Sequence, residues 1–95
     1  MQLKSNNNVV SVRGNISSIG DFESIENALT TACENHKNII LIIYDSLVIN
    51  SSLIGHLVKL VNQDGVNLSL QTGSEILFEL LDDLGLSEIL KVKRL

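Results

Sequence analysis

Apolar residues along this chain recur with two different periods, and the switches between them divide it into eight elements. Val9-Val10-Ser11-Val12-Arg13 reads as a strand, preceded by a weaker one at Gln2 to Ser5, with turn chemistry at Asn6-Asn7-Asn8 between them. That is a hairpin, ended by Gly14-Asn15. From Asp21 to about Asn35 the period changes. Phe22, Ile25, Leu29, Ala32 and Cys33 follow one another at spacings of three, four and one, which predicts an amphipathic helix with Ser18, Gly20 and Asp21 as cap chemistry. His36-Lys37-Asn38 closes it, and Ile39 to Tyr44 is a continuous apolar run of strand length.

A second helix is predicted from about Ser52 to Asn62. Ile54, Leu57, Val58 and Val61 share one side, Ser52, His56, Lys59 and Gln63 the opposite side, and Leu53 and Leu60 lie on a flank. Asp64-Gly65 is a turn, and Val66 to Gln71 alternates apolar and polar as a strand does. Thr72-Gly73-Ser74-Glu75 fits a capping box before a third helix, with Ile76, Leu77, Leu80, Leu81 and Leu84 inward and Gly85 as the residue that ends it. Ser87 to Val92 is expected as a short last strand.

The order β-β-α-β-α-β-α-β predicts an α/β fold. A mixed, mostly parallel sheet of about five strands is expected, with the first strand antiparallel and right-handed crossovers joining the others. Because Ile39 to Ile43 is apolar on both sides, helices are expected to cover the sheet in a small sandwich. With 95 residues, no proline and no low-complexity linker, residues 1–95 form a single domain.

Composition narrows the function classes. The apolar fraction of 44% suits a packed core, almost entirely aliphatic, with two Phe, one Tyr and no Trp to stack on bases. The net charge of −4 and the confinement of clustered cations to Lys91, Lys93 and Arg94 argue against nucleic-acid binding. That terminal cluster reads as a solvated tail or, alternatively, a juxtamembrane contact. Cys33 stands alone, so no internal disulfide forms. Neither a charged-then-apolar leader nor a membrane-length apolar run is present, so a soluble cytoplasmic protein without membrane insertion is the expectation.

Candidate chemistry is sparse. Phosphate-loop and dinucleotide fingerprints are missing, Asp82-Asp83 reads as a solvated helix surface, and His36 and His56 read as solvent-facing structural residues without ligand-spaced partners. No catalytic set, metal site or cofactor is expected. What remains is Asn50-Ser51-Ser52, at the mouth of a helix beyond the carboxyl end of a buried strand, where function concentrates in α/β sheets and a phosphate is readily held. One such residue suffices to cap the helix; three in a row leave room for a second role.

These residues and the order of elements resemble a STAS domain, the fold of the bacterial anti-sigma-factor antagonists. That family carries an apolar strand, a short crossing, then Asp-Ser-Ser (or Asp-Ser-Thr)-Gly-Leu-Gly opening a helix; the matching segment here is Asn50-Ser51-Ser52-Leu53-Ile54-Gly55. Gly14-Asn15-Ile16, Ser74 and Gly85-Leu86 fall at further family positions, so the resemblance spans nearly the whole chain. It departs from the pattern at Asn50, Leu53 and Ile42, where the family has an aspartate, a glycine and often an acidic or amide residue. The resemblance implies a non-enzymatic binding module whose partner is an anti-sigma factor and serine kinase, with Ser51 as phosphoacceptor, Ser52 as cap, and Asn50, Ser52, Leu53 and His56 in the docking surface. Leu53 either anchors a different interface, together with Leu60 and the polar face of His56 and Lys59, or only widens the core stripe. The alternative, favoured by the chain's brevity and its altered motif, is the family's other short form: a cytoplasmic accessory subunit of a lipid-transport ABC transporter, bound to the ATPase subunit.

Overall fold

The computed structural model describes every residue from Met1 to Leu95. Strands β1 (Gln2–Asn6) and β2 (Val9–Arg13) form the expected antiparallel hairpin, and Asn7 turns it with a φ of 55°. Helix α1 (Ile19–Asn35), strand β3 (Asn38–Ile43), helix α2 (Ser51–Asn62), strand β4 (Asn67–Thr72), helix α3 (Glu75–Asp83) and strand β5 (Lys93–Arg94) follow. The five strands lie in one sheet in chain order, β1-β2-β3-β4-β5, with every pairing after the hairpin parallel. The α/β class, the element order and the mixed sheet are those the sequence predicts.

The two-sided covering is not. Val10 and Val12, Ile39, Leu41 and Ile43, and Leu68, Leu70 and Thr72 are buried and share one face. The buried residues of all three helices join the strand residues of that face in a single core. Strand order explains this. A right-handed crossover that always steps to the next strand in the same direction lands on the same face each time, and only a reversal of strand order sends helices to the other face. The opposite face therefore carries Ile40 and Ile42, half-buried among Val9, Ser11, Ser69 and Gln71, with Lys4, Arg13 and Lys93 around them. Arg13 lies over the Tyr44 ring at 3.8 Å. None of the 11 carboxylates lies in a strand, so the acidic residues belong to the helices and connections.

Local chemistry sets the helix ends. Ser18 caps α1 in a capping box with Asp21: the Asp21 N–H donates to Ser18 Oγ, and the Asp21 carboxylate accepts from the Ser18 N–H. A further bond from the Ser17 N–H holds the Asp21 carboxyl below the ordinary carboxylate range. The box starts the helix at Ile19, two residues before the expected Asp21. Helix α3 is capped by Ser74, whose Oγ accepts from Leu77 N–H, while Thr72 Oγ1 accepts from Ser74 N–H; the box expected between Thr72 and Glu75 does not form. At its end, Gly85 N–H donates to Asp82 O and Leu86 N–H to Leu81 O, a Schellman turn with Gly85 at φ 75°.

Two apolar stripes are placed differently from the periodicity. Helix α2 buries Leu53, Leu57 and Leu60, leaving Ile54, Val58 and Val61 half-covered; helix α3 buries Leu77 and Leu81 and exposes Ile76, Leu80 and Leu84. The last strand is displaced as well. Ser87 to Lys91 forms turns that plug the core with Leu90, and pairing with β4 begins only at Lys93. Cys33 is half-buried, and desolvation pushes its thiol above the ordinary value, so it behaves as a small apolar residue.

Candidate functional site

The polar triplet lies beyond the carboxyl ends of β2 and β3, where two connections are clamped together. Gly14 N–H donates to Asp45 Oδ1 at 2.7 Å, and the N–H of buried Ile16 donates to Ser46 Oγ at 3.1 Å. Ser46, fully buried, donates its own O–H to Val48 O at 3.1 Å, so one hydroxyl satisfies polar groups from both connections. This clamp fixes the segment that delivers Asn50 to α2.

Asn50 is the N-cap. Its Oδ1 accepts from Leu53 N–H at 2.8 Å, satisfying one of the orphan donors at the helix start. The expectation that Ser52 caps is therefore corrected. Ser51 and Ser52 occupy the first and second helical positions and are exposed. An asparagine reaches the amide three residues on as readily as a serine does, and it comes first, so both serines are freed. Ser52 Oγ leans toward Glu26 Oε1 on α1 at 3.4 Å, a weak contact. Ser51 takes no part in capping, and it stands beside the unpaired amides of the first helical turn.

Leu53 is fully buried in the core. Its side chain is not a surface anchor in the folded molecule, which decides between the two readings of that position: the leucine takes a core place. The cap places Leu53 at the third helical position, and the α-helical turn there points inward to the sheet. Gly55 is exposed, with nothing within 4 Å of where a Cβ would stand. His56 is half-buried rather than solvent-facing. It falls one turn after Ser52 on the flank toward α1, and its Nε2 is enclosed without a hydrogen-bond partner.

The exposed surface at this end comprises Ser51, Ser52 and Gly55, with three apolar residues on the neighbouring connections and helix start. Leu47 and Val48 are 47% and 52% exposed, and Ile19 is 77% exposed. The segment Asp45 to Ile49 is too short to show a helix or strand period, so pattern alone marks it only as a connection. The signal was there: three consecutive aliphatic residues, Leu47-Val48-Ile49, lie between a strand and a cap, and only Ile49 packs against the core.

No enclosed pocket forms here or elsewhere in the chain. The arrangement is a helix mouth with the exposed hydroxyls of Ser51 and Ser52 and an apolar rim. No helix is long and apolar enough to cross a membrane. Comparison with protein families, with curated proteins and with solved structures finds no match.

Proposed function

We propose that this chain is a regulatory protein-binding module of STAS type, an anti-sigma-factor antagonist that docks an anti-sigma factor and serine kinase around the mouth of α2 and is switched by phosphorylation of Ser51. The observation that carries the reading is the division of labour at that mouth. Asn50 caps the helix, Leu53 fixes it to the core, and Ser51 is left exposed with its hydroxyl spare. The fold topology is compatible with the same reading.

The physics of the switch is straightforward. A phosphate on Ser51 adds about −1.5 to −2 charges beside free helix amides that tolerate it. The same charge, placed in the middle of a docked surface, is desolvated without a partner. That penalty is about 2–5 kcal/mol, roughly a thirtyfold to several-thousandfold loss of affinity. The surface around it is polar and apolar in the mixture that transient interfaces use: Ser51 and Ser52, with half-buried His56 at their edge, and the rim of Leu47 and Val48.

Immobilised full chain, offered to soluble and membrane fractions of the source cells, is expected to recover a soluble serine kinase. That kinase with ATP then adds a single phosphate, which Ser51→Ala abolishes, and Ser51→Glu weakens binding at least about tenfold. Recovery of a transporter ATPase subunit from the membrane fraction, with binding indifferent to Ser51→Glu, overturns the antagonist reading in favour of the transporter accessory role.

Gly55 provides a separate check. An exposed mid-helix glycine costs about 0.5–1 kcal/mol relative to alanine, and nothing here obstructs a Cβ. Gly55→Ala is thus expected to raise the denaturation midpoint while lowering partner affinity, because a partner lying across Ser51 and Gly55 meets bare backbone. A gain in stability with unchanged affinity removes Gly55 from the interface.

A further inference from the structure

We propose that the groove between α2 and α3 is a second docking surface, and that its occupant is a basic amphipathic helix from a partner protein. Side-chain contacts orient both walls. On α2, Ser52 leans toward Glu26 of α1, so the opposite flank of the buried row, Ile54, Val58 and Val61, faces α3. On α3, Glu75 pairs with Arg94 of β5, and Phe78 lies under its guanidinium at 4.2 Å, so the opposite flank, Ile76, Leu80 and Leu84, faces α2. Six aliphatic side chains thus line the two walls of one groove.

Nothing in the chain fills it. Helices α1 and α2 pack together, but no Cα of α2 comes within 8 Å of a Cα of α3. Ile76, Leu80 and Leu84 remain 59%, 37% and 54% exposed, while the three α2 residues are half-covered. A row at spacings of four on one helix, opposite a second apolar row, is the geometry that receives a helix through anchors at i, i+4 and i+7.

Charge selects the occupant. Glu79 and Asp83 follow immediately on the outer side of the Ile76–Leu80 row, and neither has a cationic partner: the one salt bridge of the chain engages Glu75. The outward-facing residues of α2 bordering the groove, Ser51, Gly55 and Asn62, are uncharged. An apolar floor with a carboxylate rim complements a helix whose apolar stripe is flanked by Lys or Arg. A second copy of α3 would bring Glu79 and Asp83 against their own kind, which costs affinity. The groove shares only the Ser51–Gly55 edge of α2 with the proposed partner surface, and the variants at Ile76, Glu79, Leu80 and Asp83 all lie on α3 outside it, so its failure is distinguishable from that of the antagonist reading.

Two labelled peptides of about 20 residues, long enough to be helical, share one leucine stripe and carry either Lys or Glu at every polar position. The Lys peptide is expected to bind and to shift the methyl signals of Ile54, Val58, Ile76, Leu80 and Leu84, with the Glu peptide silent. Leu80→Ser, or Ile76→Ser if the first fails to fold, is expected to weaken the Lys peptide at least about tenfold. Glu79→Lys combined with Asp83→Lys is expected to reverse the preference between peptides. Shifts spread over the acidic surface of α1, or an affinity unchanged by both apolar variants, overturn the proposal. So does a peptide-free dimer that Leu80→Ser dissociates, since the occupant is then a second copy.

Discussion

Leu53→Ala is expected to destabilise the protein by about 2–5 kcal/mol, the range for emptying a fully buried leucine site. The residue stands one turn from a surface proposed for partner recognition, yet its side chain joins the core formed by the sheet and the three helices. Two effects add at this position. The apolar contacts with the core are lost, and the first turn of α2 loses the inward anchor that complements the Asn50 cap on the same residue's amide. For a domain of this size total stability is about 5–15 kcal/mol, so a large part of it depends on this side chain. Urea denaturation should show a lower midpoint at an unchanged slope, and the thermal midpoint should fall by about 4–8 °C for each kcal/mol lost.

Leu47→Ala is the contrast that makes the test specific. Leu47 is 47% exposed on the adjoining connection, and removing its side chain should leave the denaturation midpoint nearly unmoved, within about 0.5 kcal/mol. A Leu53→Ala protein as stable as its parent, with partner affinity reduced, would return Leu53 to the interface. The substitution of a leucine where the resembling family carries a glycine then has a structural meaning. The side chain is turned inward, leaving the outer face of the helix mouth to Ser51, Ser52 and Gly55.

What the sequence conveyed and what it withheld divide along local and non-local physics. Helix existence, the Gly85 turn and the hairpin follow from residues within a few positions of one another, and they were legible. The face on which the helices lie depends on strand order, a property of the whole chain. The run Ile39 to Ile43 looked two-sided because both of its faces are aliphatic. Its neighbours already carried the contrary signal, since β4 alternates Leu68 and Leu70 with Asn67, Ser69 and Gln71. A strand with one polar face does not fit a sheet buried on both sides.

The widths of the apolar stripes were also ambiguous. On α3 the residues Ile76, Leu77, Leu80, Leu81 and Leu84 occupy a broad arc, and periodicity alone treats all of them as inward. Only Leu77 and Leu81 meet the sheet squarely; covering the rest needs a neighbouring helix close by, and α2 does not approach. On α2 the centre of the arc moved to Leu53, Leu57 and Leu60 for the same reason: the sheet, not the periodicity, selects which part of a wide stripe is buried. At the site itself, the triplet was legible as cap chemistry. Which member caps was not, because Asn and Ser serve about equally well and the choice is made by where the Asp45–Ser46 clamp releases the chain.

Gly73→Ala is expected to cost about 1–3 kcal/mol or more, although the residue is exposed and adopts a backbone conformation open to any residue. A Cβ at Gly73 would stand 2.6 Å from the carbonyl oxygen of Tyr44. The obstacle is backbone, so no rotamer change relieves it. The two chains are held at that separation by Gly73 N–H donating to Ile43 O at 3.2 Å, which extends the β3–β4 ladder past Thr72. Relief requires moving either Ser74, the cap of α3, or the Tyr44–Asp45 connection. Movement of the latter reaches the clamp directly, since Asp45 and Ser46 hold the amides of Gly14 and Ile16. The expected signature is a lowered denaturation midpoint together with shifted amide resonances of Gly14 and Ile16. Gly55→Ala, where the added carbon meets open space, should move stability in the opposite direction. Should Gly73→Ala prove as stable as the parent with those two amides unmoved, the close approach of β4's end to Tyr44 is not what positions the helix mouth. If the loss appears as expected, Gly73 couples the start of α3 to the site, and the Asn50–Ser51 surface depends on a glycine that never touches it.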